Sequence, residues 1–128
     1  MIRQSFIAEM ASRLRILSEE IGLASQAEPH RLLQAKEYRA AVISAMTLLE
    51  GKLREHLSKR PWPETSRPMS MRALVERGVE QAIVPRELRE PLYRWMRLRN
   101  EVVHSSVNVS RAQALEIVNG VMDWVGQL

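Results

Sequence analysis

The sequence predicts an all-α fold, a helical bundle of four to five helices, on three observations. Apolar residues recur at three- and four-residue spacing along almost the whole chain. The two-residue alternation of a half-buried strand is nowhere sustained. A chain that is 45% hydrophobic but only 5% aromatic also suits a compact helical protein better than a disordered one. At 128 residues it is expected to form a single domain over 1–128, long enough to close one core without covalent staples.

Each element follows in order. Phe6, Met10, Leu14, Leu17 and Ile21 form one stripe, so residues 3–22 read as a first helix stopped near Gly22. The stretch ending at Pro29 punctuates it. A long second helix is expected over 30–58, with Tyr38, Val42, Ala45, Leu49, Leu53 and Leu57 on its inner face. Pro61, Pro63 and Pro68 cannot lie in a helix interior, because proline lacks the amide donor and clashes with the preceding turn. Ser70 is placed to cap a short helix over 71–82, weakened by Gly78. A fourth helix starts at Pro85 and turns Leu88, Leu92, Trp95, Leu98 and Val102 inward, and Pro91 either kinks it or marks its true start. Ser110 and Gln113 have capping-box spacing for the last helix, with Leu115, Val118, Met122 and Val125 facing the core.

Composition narrows the function classes. The absence of cysteine removes disulfides, zinc–thiolate sites and thiol catalysis, and fits a cytoplasmic location. The N-terminal residues carry charges every few positions, so neither a signal peptide nor a membrane span is expected there, and no other apolar run reaches spanning length. The net charge of +4 comes from sixteen Arg and three Lys against 15 acidic residues. Such arginine richness has two readings, a GC-rich genome or a surface suited to nucleic-acid phosphates. His30 and His56 stand apart from any Glu or second His at ligand spacing, so no metal site and no cofactor is expected; His56 reads as a core residue of the second helix. No phosphate-binding loop, dinucleotide fingerprint or glycine-flanked nucleophilic serine is present. Trp62, between prolines, either tucks against the bundle or stacks on a base.

The stretch Arg99-Asn100-Glu101-Val102-Val103-His104 carries the most chemistry. A guanidinium grips an anion with parallel hydrogen bonds and stays charged at any physiological pH. Imidazole is the one side chain that changes charge near neutrality unaided, so it gives or takes a proton. This Arg-x4-His spacing, late in a helix and followed by a loop and one more helix, resembles the signature of HEPN domains (higher eukaryotes and prokaryotes nucleotide-binding). The stretch from Glu37-Tyr38-Arg39 to Leu53-Arg54 also looks like the long second helix of many bacterial members, so the resemblance covers about residues 30–127. It implies an HEPN-like helical bundle and a metal-independent endoribonuclease acting on tRNA or mRNA. It also implies a toxin with an antitoxin partner, or a phage-defence effector, working as a homodimer.

In that reading His104 removes the 2′-hydroxyl proton or protonates the leaving 5′-oxygen, leaving a 2′,3′-cyclic phosphate. One or both of Arg97 and Arg99 hold the phosphate, Arg94 extends the RNA-binding surface, Asn100 orients the groups, and Glu50, Glu101 and Tyr93 support them. Helical geometry complicates the picture. At about 100° per residue, Arg99 falls about 40° from Trp95, inside the apolar arc that ends with Val102 and Val103, while His104 lies on the opposite side near Arg97, Tyr93 and Asn100. A charge in that arc needs a partner, and Glu50 is the nearest candidate; breaking a buried pair would cost roughly 3–5 kcal/mol. Three arrangements remain open. The last turn unwinds, Arg97 replaces Arg99 beside His104, or two subunits complete one site across a two-fold axis. Beside the ribonuclease stand two other functions: a non-catalytic module binding RNA, nucleotide or a protein, and a plain helical dimerisation domain.

Overall fold

The computed structural model describes residues 8–14, 26–58 and 69–128. Every regular element among them is helical, and none is a strand. After helical residues 8–14 and 26–34 come α1 (Tyr38–Ser58), α2 (Met71–Glu80), a 3-10 turn (Arg86–Leu88), α3 (Arg89–His104) and α4 (Arg111–Gly126). None of these helices is long and apolar enough to cross a membrane. The Trp62 loop and most of the expected first helix lie outside the described residues. Met10 and Leu14, two residues of the first stripe, are 47% and 61% exposed.

The helix expected over 30–58 is two helices. Lys36 takes a left-handed conformation with φ of 62°. Its amide donates to the Leu33 carbonyl at 3.1 Å, and the next amide, of Glu37, reaches back to Leu32 at 2.9 Å. That pair of bonds is a Schellman termination, normally announced by glycine. Lysine in the glycine position leaves no sequence signal, so the periodicity reads straight through the break. Pro29, expected to separate helices, lies inside the 26–34 run and is buried.

The same device closes α2, two residues short of the expected end. Ala82 has φ of 58°, and Ile83 donates to the Gly78 carbonyl at 2.8 Å. Ser70 caps the start by accepting from the Ala73 amide at 3.2 Å. Gly78 is a close-packing position rather than a weak point. A Cβ there would lie 2.7 Å from Val84 Cγ2 and 3.2 Å from Leu53 Cδ2. Pro85 precedes the 3-10 turn, not the α-helix, which begins at Arg89 and carries Pro91 in its first turn, where no amide bond is lost.

The core gathers around α1. Ala41, Val42, Ala45, Leu49, Leu53 and Leu57 are buried, and α4, α2 and α3 all pack on this helix. Each fully buried leucine contributes about 1.5–3 kcal/mol relative to an exposed one. From α3 come Leu92, Trp95 and Val102; Val103, expected in the same arc, is 47% exposed. His56 is half-buried and so lies at the edge of the core rather than within it. The Ser110–Gln113 capping box forms with both bonds. On α4 the buried residues are Ala114, Ile117, Val118, Val121 and Trp124, whereas Leu115 is 38% exposed. This inward stripe is rotated from the expected one because the apolar face of α4 opposite Gln113, Glu116, Asn119 and Asp123 is broad, and spacing alone does not fix its centre.

Trp95 fixes how closely α3 and α4 approach. A Cβ on Gly120 would overlap its ring, lying 2.8 Å from Cζ2 and nearer still to Cη2. The indole nitrogen donates to Glu116 at 3.0 Å, and Trp124 ties α4 to the Ile83 carbonyl at 3.1 Å. Gly120→Ala should therefore destabilise the fold by about 1–3 kcal/mol through overpacking. Gly51 has nothing within 4 Å of such a Cβ, so Gly51→Ala in mid-helix should stabilise by about 0.5–1 kcal/mol. Urea unfolding of the two variants beside the parent checks both signs.

Candidate functional site

Helix α3 remains α-helical through His104 and ends at Ser105, whose backbone is extended at φ −146° and ψ 175°. The Ser105 amide donates to the Glu101 carbonyl at 2.9 Å, and its hydroxyl donates to the same oxygen at 2.7 Å. The last turn is thus wound, not opened. Within one chain Arg99 and His104 consequently point away from different sides of α3, five residues and about 140° apart. Arg97 and His104 are seven residues apart, share a face and are both exposed.

Arg99 is half-buried, and its Nη1 donates to Asn100 Oδ1 at 3.2 Å. It lines a cavity of about 90 Å³ together with Asn100, Glu50, Met46, Met71 and Met96. The expected pairing of Arg99 with Glu50 does not form. Glu50 is held instead by Arg54, one turn along α1, at 2.9 Å. A local partner on the same helix costs less side-chain ordering than one across the bundle, and both groups of that pair keep contact with water.

Arg94 faces α4, with Nη2 at 3.3 Å from Glu116, the carboxylate that also accepts from Trp95. Glu101 is exposed on the side of His104. Tyr93 belongs to a separate cluster between α2 and α3. Its hydroxyl donates to Glu76, which also accepts from Arg89 Nε at 3.1 Å and Nη2 at 2.8 Å. The Arg72 guanidinium lies 5.0 Å from the centre of the Tyr93 ring, and that of Arg89 5.8 Å from it. The Tyr93 hydrogen bond, followed by that of Arg89, holds the Glu76 carboxyl below its usual range. Burial and the bond to Glu76 push the Tyr93 phenol up.

One residue at the end of α3 was not singled out from the sequence. Arg39, in the first turn of α1, donates from Nη2 to the Val102 carbonyl at 2.9 Å and to the Ser105 carbonyl at 3.1 Å. These oxygens are orphaned at a helix C-terminus, where a cation is favoured. The partners lie 63 and 66 residues along the chain, beyond the reach of any spacing rule. The structure thus assembles two neighbourhoods. Arg99, Asn100 and Glu50 surround the small methionine-lined cavity, while His104 and the turn held by Arg39 occupy the open end of α3, with Arg97 two turns back on the face of His104. Among the described residues no group of three or more His, Asp or Glu side chains could hold a metal ion.

Two outcomes follow from this geometry. Tyr93→Phe should raise the pH at which Glu76 titrates, as followed by carboxyl NMR, because the largest cause of its depression is removed. The depressed value also means that the Glu76 ion contributes stability above its ordinary titration range and loses it as pH falls. Arg99→Ala should cost less than about 1 kcal/mol in the isolated chain, well short of the cost of breaking a buried pair, since its one described bond is to neighbouring Asn100. Chemical denaturation at low protein concentration measures it.

No protein-family model, curated protein or solved structure matches the chain.

Proposed function

We propose that this chain is an HEPN-type metal-independent endoribonuclease whose site is completed in a homodimer. The observation that carries the reading is the exposed imidazole of His104 at the end of α3, two turns beyond exposed Arg97 on the same face. An accessible acid–base group and a permanent cation brought to one phosphate are what in-line attack of a 2′-hydroxyl on its neighbouring phosphate requires. His104 removes the 2′-hydroxyl proton as the O2′–P bond forms, and a second imidazole protonates the departing 5′-oxygen as the P–O5′ bond breaks. The products are a 2′,3′-cyclic phosphate and a free 5′-hydroxyl. Because Arg99 and His104 diverge within one chain, the reading brings them together across a two-fold axis, with Arg99 of one protomer serving His104 of its partner. Such activity in a cell would suit a toxin restrained by an antitoxin, or an effector of phage defence, acting on tRNA or mRNA.

A second reading is favoured by one specific feature. No described side chain hydrogen-bonds to the His104 ring, whereas acid–base histidines are commonly oriented by a partner. An unoriented imidazole suits a non-catalytic module that binds RNA, nucleotide or a protein and keeps the motif for architecture.

The test is a cleavage assay on total RNA and on tRNA in EDTA. The expected outcome is fragments ending in cyclic phosphate and loss of cutting in His104→Ala with RNA binding retained. A wild-type protein that binds RNA and never cuts it establishes the binding-module reading instead. Light scattering that returns only the 14.8 kDa mass of one chain removes the dimeric site.

A further inference from the structure

Helix α3 presents a physical difficulty for any anion brought to His104. The aligned peptide dipoles leave the equivalent of about half a negative charge on a helix C-terminus, and this repels a phosphate. His104 is the last residue of α3, so it sits at that unfavourable end. Arg97 is two turns back, about 10 Å along the axis, and Arg99 lies on another side. Within one chain and without a further cation, the end of α3 is therefore a poor place for a phosphodiester.

Arg39 meets that need. Its Nη2 sits on the carbonyls of Val102 and Ser105, which flank His104 in the chain. A whole positive charge placed on the dipole terminus reverses the sign of the field there. A guanidinium carries five N–H donors in a planar fork, and only Nη2 is engaged. No described carboxylate pairs with Arg39, and the residue is exposed. Nη1 and Nε hydrogen-bond to no described residue, on an exposed side chain already anchored in place. Such pre-anchoring lowers the ordering cost of gripping an anion.

We propose that Arg39 is a phosphate-binding residue of this site, its guanidinium anchored on the C-terminal carbonyls of α3 and its free edge offered to a phosphodiester of single-stranded RNA at the helix end that carries His104. The inference rests on the ribonucleolytic reading for its chemistry but not for its binding. In the reaction itself Arg39 forms and breaks no covalent bond. It offsets charge on the non-bridging phosphate oxygens while His104 handles the proton.

The experiment uses a 2′-O-methyl single-stranded oligoribonucleotide of mixed sequence, which lacks the attacking hydroxyl and cannot be cut. Its affinity is measured across a series of salt concentrations for wild type, Arg39→Gln, Arg39→Lys and His104→Ala. Loss of one phosphate contact should reduce the slope of log K against log salt by about 0.7 in Arg39→Gln. Arg39→Lys, which keeps the charge, should restore the slope, an effect that a purely structural helix cap would not produce. His104→Ala should keep the wild-type slope. With cleavable RNA in EDTA, Arg39→Gln should lose about 10²–10³ in kcat, the usual effect of removing one charge-stabilising donor. A wild-type slope and affinity in Arg39→Gln overturn the assignment, whether or not the protein cuts RNA, and so does a wild-type chain that fails to bind the oligonucleotide. A wild type that binds with the Arg39-dependent slope yet never cuts overturns only the enzyme reading, and the phosphate site stands.

Discussion

The apolar ridge of α1 is the constraint on which the remaining geometry rests. Ala41, Ala45, Leu49 and Leu53 are fully buried, and α2, α3 and α4 all take their positions from contact with this one helix. Small side chains at the start of the ridge, Ala41 and Ala45, and leucines further along it set how near each neighbour comes. Where a neighbour must come nearer still, glycine supplies the room, as at Gly78 beneath Leu53 and Val84. Close-packed interiors transmit such constraints over distance, because no slack remains to absorb a shift.

The site inherits its shape from that packing. Trp95, seated over Gly120 and bonded to Glu116, locks the rotation of α3 about its own axis. Once that rotation is set, Arg99 is directed toward the methionine-lined cavity and His104 toward solvent. Arg39 then joins the start of α1 to the end of α3, so the most buried helix of the core positions the turn beside the exposed imidazole. Charge follows the same division. Glu76 gathers Tyr93 and Arg89 into a cluster between α2 and α3, and Glu116 occupies Arg94. Arg97, two turns before the end of α3, and Arg39 at that end are left as exposed cations without a described carboxylate partner.

Helix class, the Ser70 cap and the Ser110–Gln113 capping box were legible in the sequence because each rests on residues within a turn or two of one another. Helical spacing also placed Arg97 and His104 on one shared face and Arg99 on another, since rotation per residue is a local property. The break at Lys36 and the end of α2 at Ala82 were not legible. Both use a left-handed residue other than glycine, a conformation that the surrounding packing imposes against local preference.

The sequence by itself determined the periodicity that makes this chain helical, the caps that begin α2 and α4, and the order of chemical groups along α3. Tertiary structure alone decided which part of the broad apolar face of α4 turns inward and that Arg39 closes the end of α3. The physical reason is the same in each case. Several local solutions were nearly equal in energy, and only the contacts of distant segments, packed on one ridge, separated them.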